Sequence, residues 1–182
     1  MTDPVAPASP AAPPPRSSPV SRATLLAYVF LIVYASWFPF TGWHSNGLSP
    51  LTFLENTRMP RYWTGFDVGI NVVGYIPLGA LIVYSLFPRI TGFFAVIVAS
   101  LCGMLISGSM EAVQTYLPSR VSSNLDFYTN AAGCCIGSII GALTARKLLD
   151  QSHLFRLRQR WFAQHASQGL VLVALWPLAQ IY

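Results

Sequence analysis

Of 182 residues, 53% are hydrophobic and only 9% charged, against about 25% charged in an ordinary soluble domain. With a mean hydropathy of +0.50, that balance excludes a water-soluble domain and reads as a small bundle of membrane helices. The net charge of +5 does not mark a nucleic-acid binder, because the bases flank apolar runs instead of forming an aromatic-interleaved patch.

Residues 1–22 form a Pro/Ala/Ser tail with Pro13, Pro14 and Pro15 at its centre. Such a segment buries too little apolar surface to offset its ordering entropy, so disorder or short polyproline stretches are expected. It does not read as a signal peptide, since the following apolar run is too long for an h-region. The first span is predicted over 23–40, with Arg16 and Arg22 ahead of it and an aromatic exit at Trp37, Phe38, Phe40 and Trp43. Residues 41–65 read as a loop, with a short interfacial turn near Leu51–Leu54.

The second span is predicted over 67–87, and Pro77 inside it is expected to kink it. After a tight turn at Pro88 and Arg89, the third span runs from Gly92 to about Tyr116. From Gly92 to Glu111 is nineteen helical steps, about 28 Å. That nearly crosses the hydrocarbon, so Glu111 belongs near a boundary. The fourth span is predicted over 126–145, and its Gly133, Gly137 and Gly141 recur every four residues. Such a ladder is a packing seam that lets another helix backbone, in this chain or a partner, approach closely.

Residues 146–167 carry Arg146, Lys147, Arg156, Arg158 and Arg160 with Trp161 and Phe162, an amphipathic segment suited to an anionic membrane face. Residues 168–182 begin a partial fifth apolar helix, too short to span. The run has no polar anchor after it, so the native polypeptide is expected to continue beyond Tyr182. The fold class expected is therefore all-α: a polytopic transmembrane bundle of four full spans plus a short C-terminal apolar segment.

Orientation follows from the bases. With the N-terminus cytoplasmic, that side holds Arg16, Arg22, Arg89, Arg146, Lys147, Arg156, Arg158 and Arg160, and the other holds Arg58, Arg61 and Arg120. The acids Asp67, Glu111 and Asp126 then gather on the extracytoplasmic side at similar depth. Helical spacing adds Asn71 four residues after Asp67, Asn130 four after Asp126, and Gln114 three after Glu111. Where those faces meet, three carboxylates and three amides converge, with Arg120 in the adjoining loop. Either one carboxyl stays neutral there, or Arg120 or a bound cation compensates.

Part of this pattern has a purely structural reading. Thr64-x-x-Asp67 and Ser123-x-x-Asp126 both have capping-box spacing, and an acid in the first turn suits the helix dipole. Capping does not account for the deeper asparagines, nor for Glu111 at a helix C-terminal end, where the dipole disfavours an anion. An ionisable group at membrane depth is a functional candidate by default. Other candidates are weaker. His44, His153 and His165 lack partners at ligand spacing, no metal-binding Cys/His spacing exists, and no resident cofactor is expected. Cys102, Cys134 and Cys135 lie in apolar runs and behave as small hydrophobes. Ser107 and Ser109 have no His nearby in sequence to activate them, though Ser107 is placed to face Glu111 one turn on.

Three passages carry a family resemblance. They are Asp67 with Asn71-x-x-Gly74 and Ile76-Pro77-Leu78-Gly79; Glu111-x-x-Gln114 with Pro118 and Arg120; and Asp126 with Asn130-x-x-Gly133. Together with the aromatic exit of the first span, they make residues 23–145 resemble the VanZ-like family of bacterial membrane proteins. The resemblance implies a multi-pass protein of the cytoplasmic membrane, in a cell-envelope context, from a family named for a member linked to teicoplanin resistance. It implies no settled chemistry.

Three function classes follow. In the first, Asp67, Asn71, Glu111, Gln114, Arg120, Asp126 and Asn130 bind a polar headgroup or amphiphile at the outer interface. In the second, one carboxylate is a general base on a lipid-linked substrate, with a divalent cation held by oxygen ligands. In the third, the protein is a structural or assembly subunit whose glycine seam packs on a partner. A transporter is disfavoured, because the polar groups gather at one end of the spans.

Overall fold

The computed structural model describes residues 19–55 and 62–150, all of its regular structure helical. Helix α1 (Pro19–Trp37) leads to a loop carrying the single-turn α2 (Thr52–Glu55). Helices α3 (Gly65–Leu86), α4 (Gly92–Gln114) and α5 (Asn124–Ala145) follow, and α5 continues into a π-helical turn, Arg146–Asp150. Four of these helices are long and apolar enough to cross a membrane. The tail before Pro19, Arg58, Arg61, the bases after Lys147 and the apolar run 168–182 lie outside the described residues.

The helix ends differ from the sequence expectation for local reasons. α1 stops at Trp37 because Pro39 biases the preceding residue away from helical backbone. α3 and α5 begin two residues early, since Thr64 and Ser123 act as N-caps and pull the first turn toward themselves. α3 runs unbroken through Pro77.

The bundle is organised on α5, which packs along α3 and α4, while α1 lies against α3 and α4. Three small-residue contacts bring these backbones together. A Cβ at Gly133 or Gly137 would overlap the carbonyl of Val72 or Ile76 on α3, and one at Gly141 would press on Ala80. The glycine seam is thus filled by α3 of the same chain, not by a separate partner helix. Gly79 answers from α3, where a Cβ would strike the carbonyl of Cys134.

A second ladder was not recognised in the sequence: Ala95, Ala99, Gly103 and Ser107, buried along α4 every four residues. Gly103 leaves room for Cys134, whose thiol donates to the Ala99 carbonyl over 3.5 Å. That places Cys134 in the packing between helices, with no exposed surface. Large apolar side chains such as Leu26, Phe30, Ile70, Val73, Phe94, Leu105 and Leu143 point outward, as a bundle facing lipid requires.

The up-and-down order brings the end of α1, α2, the start of α3, the end of α4 and the start of α5 to one end of the bundle. There the two long loops touch, since the His44 N–H donates to the Tyr116 carbonyl over 3.1 Å. Tyr34 stacks on Phe38 and Phe40, and Trp43 donates to the Phe40 carbonyl, folding the aromatic exit back onto α1.

Candidate functional site

At this loop-rich end lies a cleft of about 860 Å³. Five of the seven polar residues singled out from sequence line it: Asp67, Asn71, Gln114, Arg120 and Asp126. Glu111 and Asn130 do not. They lie inside the bundle, 2% and 6% exposed, so the seven do not form one open constellation.

The two Asp-x-x-x-Asn motifs have diverged in use. Asp67 closes a full capping box: its Oδ2 accepts from the Thr64 N–H at 2.9 Å and hydroxyl at 2.8 Å, while Thr64 Oγ1 accepts from the Asp67 N–H at 3.2 Å. At α5 only half a box forms, with Ser123 Oγ accepting from the Asp126 N–H at 3.4 Å. The Asp126 carboxylate instead faces α3, where Oδ1 accepts from Asn71 Nδ2 at 2.9 Å. Asp126 therefore sits between helices, within electrostatic reach of both Asp67 and Glu111. Asp126 also lines the cleft, to which it brings a carboxylate.

Glu111 overcomes its poor place on α4 by borrowing from α5. Its Oε2 accepts from the Ser123 N–H at 2.7 Å, and Ser122 lies beside the same carboxylate. Ser123 is the N-cap of α5, so the anion sits at the positive end of one helix dipole although it ends another. One turn deeper, Asn130 Nδ2 donates to Ser107 Oγ at 3.1 Å, next to the Tyr75 hydroxyl. Ser107 is thus engaged by Asn130 and not by Glu111. Tyr75 escaped the sequence reading because a tyrosine in an apolar run looks like core, and only its hydroxyl asks for a polar neighbour.

Gln114 and Arg120 serve the end of α1. Gln114 Nε2 donates to the Ser36 carbonyl at 3.0 Å, and Arg120 donates from Nη2 to Ala35 at 3.0 Å and from Nε to Phe38 at 3.1 Å. These carbonyls have no partner within α1, and leaving them bare at a membrane surface is costly. A cation there also suits the dipole. Arg120 keeps further N–H groups beyond these two bonds, toward the cleft it lines.

Asn46, Thr52, Tyr62, Trp63, Ser122, Ser123 and Asn124 complete the polar wall. Of these, only Ser123 carried a signal in sequence, through its capping spacing. Among the described residues, no three His, Cys, Asp or Glu side chains are grouped to hold a metal ion. What the cleft offers is carboxylate and amide acceptors, amide and guanidinium donors, and aromatic edges.

The family model described as VanZ/LLP1 matches residues 23–145, which include all four spans' cores and every residue of this site named above from sequence. Comparison with curated proteins and with solved structures returned no match.

Proposed function

The chain belongs to the VanZ/LLP1 family, and on that footing we propose that it is a cell-envelope protein binding the polar headgroup of an amphiphile in the cleft. The single observation that carries this reading is the cleft itself: about 860 Å³ of space, lined by polar and apolar side chains, where α2, α3, α4, α5 and their loops meet. A pocket of that size with few charged groups suits a small polar ligand. Asp126 and Asn71 both line it and hold each other. Arg120 and Gln114 line it too, while tying down the end of α1. Glu111 and Asn130 support from beneath: one fixes the start of α5, the other ties α5 to α4.

The test keeps the fold intact. In Asp126→Asn the new Oδ1 still accepts from Asn71, so the bundle should hold to within about 0.5 kcal/mol. Lipid co-purifying from the native membrane should fall about tenfold or more, as expected for losing a hydrogen bond to a charge. Unchanged bound lipid would reject the reading. A second reading, that the polar groups only hold helix ends, is favoured by the backbone bonds of Glu111, Gln114 and Arg120. It predicts unchanged lipid and lowered stability when those three are truncated.

We place the cleft on the outer face of the bacterial cytoplasmic membrane, with the N-terminus inside, in support of which stand the bases gathered at the opposite end of the spans. A glycopeptide-resistance setting is the context the family name suggests. Ser45 lies exposed at the cleft end and Arg89 at the other. In intact cells, Ser45→Cys should react with a membrane-impermeant thiol reagent and Arg89→Cys should not. The reverse pattern would invert the orientation.

A further inference from the structure

Beside the polar cleft runs a second concavity of a different kind. Leu101, Met104, Leu105, Gly108 and Ala112 recur at three- and four-residue steps along one face of α4. Phe53 of α2 and Phe127 of α5, ring centroids 5.6 Å apart, wall it in, enclosing about 540 Å³. The one hydroxyl among its lining residues, on Ser109, donates to the Leu105 carbonyl at 2.7 Å and is already satisfied. Nothing in the groove asks for a polar ligand.

Four observations indicate what fills it. From Leu101 to Ala112 is eleven residues, about 16 Å of helix, or roughly half of a ~30 Å hydrocarbon core. The groove is therefore about one leaflet long. Its upper end adjoins the cleft, since Phe53 lines both spaces. Gly108 lies in its floor, where a Cβ would already meet the Phe127 ring at 3.5 Å and Phe53 at 3.9 Å, so any larger side chain takes up the room. The cleft above is lined by Asp67, Asp126 and Arg120. Two carboxylates and one guanidinium complement a headgroup that bears both an amine and a phosphate better than one that is only anionic.

We propose that the groove on α4 seats one acyl chain of a zwitterionic aminophospholipid whose headgroup occupies the cleft. The amine faces Asp126 and Asp67, and the phosphate faces the N–H groups of Arg120 that α1 leaves free. This rests on the headgroup-binding reading above and adds to it the chain and the charge type. Lipid enters sideways from the leaflet, between α2 and α4, without leaving the hydrocarbon.

Delipidated full-length protein, followed by native mass spectrometry, tests it with three probes. These are phosphatidylethanolamine, phosphatidylglycerol and chain-free glycerophosphoethanolamine. Retention of phosphatidylethanolamine should exceed that of phosphatidylglycerol by about tenfold, one charge-assisted contact, and the chain-free headgroup should not be retained. Gly108→Leu fills the floor and Ala112→Leu narrows the half-buried wall. Each should cut phosphatidylethanolamine retention about tenfold by excluding a few methylenes.

If both groove variants bind as wild type while Asp126→Asn does not, the groove proposal fails and the headgroup reading stands. If the groove variants lose lipid and Asp126→Asn keeps it with its preference, the cleft reading fails and the chain site stands alone. Equal binding of the two phospholipids by wild type overturns the zwitterionic assignment. A dimer that the groove substitutions dissociate, with no lipid retained, would give the groove to a second copy of the chain.

Discussion

Gly137→Leu is expected to prevent the bundle from forming in its native packing, while Ile139→Leu leaves it nearly unchanged. A Cβ at Gly137 would overlap the Ile76 carbonyl oxygen and crowd its Cα, so the obstacle is backbone and has no rotamer by which to move aside. Relief requires α5 to withdraw from α3 along its length. That would also break the fit at Gly133, Gly141 and Gly79, which hold the same two helices together. Overpacking costs about 1–3 kcal/mol where side chains can adjust. Here the loss should reach about 3 kcal/mol or more, because they cannot. Ile139 is 46% exposed on the lipid side, where one branched chain replaces another. Thermal unfolding of the two purified variants decides it, and equal midpoints would refute the seam.

Glu111→Ala is expected to lower stability by about 1 kcal/mol or more, the penalty for stranding a half-buried donor, here the Ser123 N–H. Glu111→Gln should behave quite differently. Its remaining carbonyl oxygen can accept the same bond, and removing a charge from a site 2% exposed avoids a desolvation cost. The side chain does not line the cleft, so lipid retention by the Gln variant should match wild type. Loss of lipid in a folded Gln variant would bring Glu111 back into the ligand site. Denaturant or thermal melts of both variants, with bound lipid measured alongside, separate these outcomes.

Much of the architecture was legible in the chain. Apolar runs of span length located four helices, and their alternation placed Asp67, Glu111 and Asp126 at one end without reference to any contact. The four-residue spacing of Gly133, Gly137 and Gly141 identified a face of close approach. Capping spacing at Thr64 and Ser123 marked two helix starts, since a cap is a local bond over three residues. Depth along a helix and the face of a residue depend only on rise and periodicity, which the sequence carries.

Partners did not follow from the same information. Two identical motifs put Asp67 into a capping box and Asp126 across to Asn71, because α5 is rotated by its glycine contacts so that Asp126 faces α3. Arg120 stands four positions before α5, which carries Asp126, yet it spends two bonds on the carbonyls that end α1. Glu111 looked like the most exposed to dipole penalty and is the most buried acid among the described residues, since α5 begins against it. Which polar groups share a level in the bundle follows from rise and span length alone. Which of them line the cleft and which are shut inside the bundle is fixed by how the helices pack. That choice depends on helix rotation and loop path, and both are set by contacts between residues 55 to 82 positions apart.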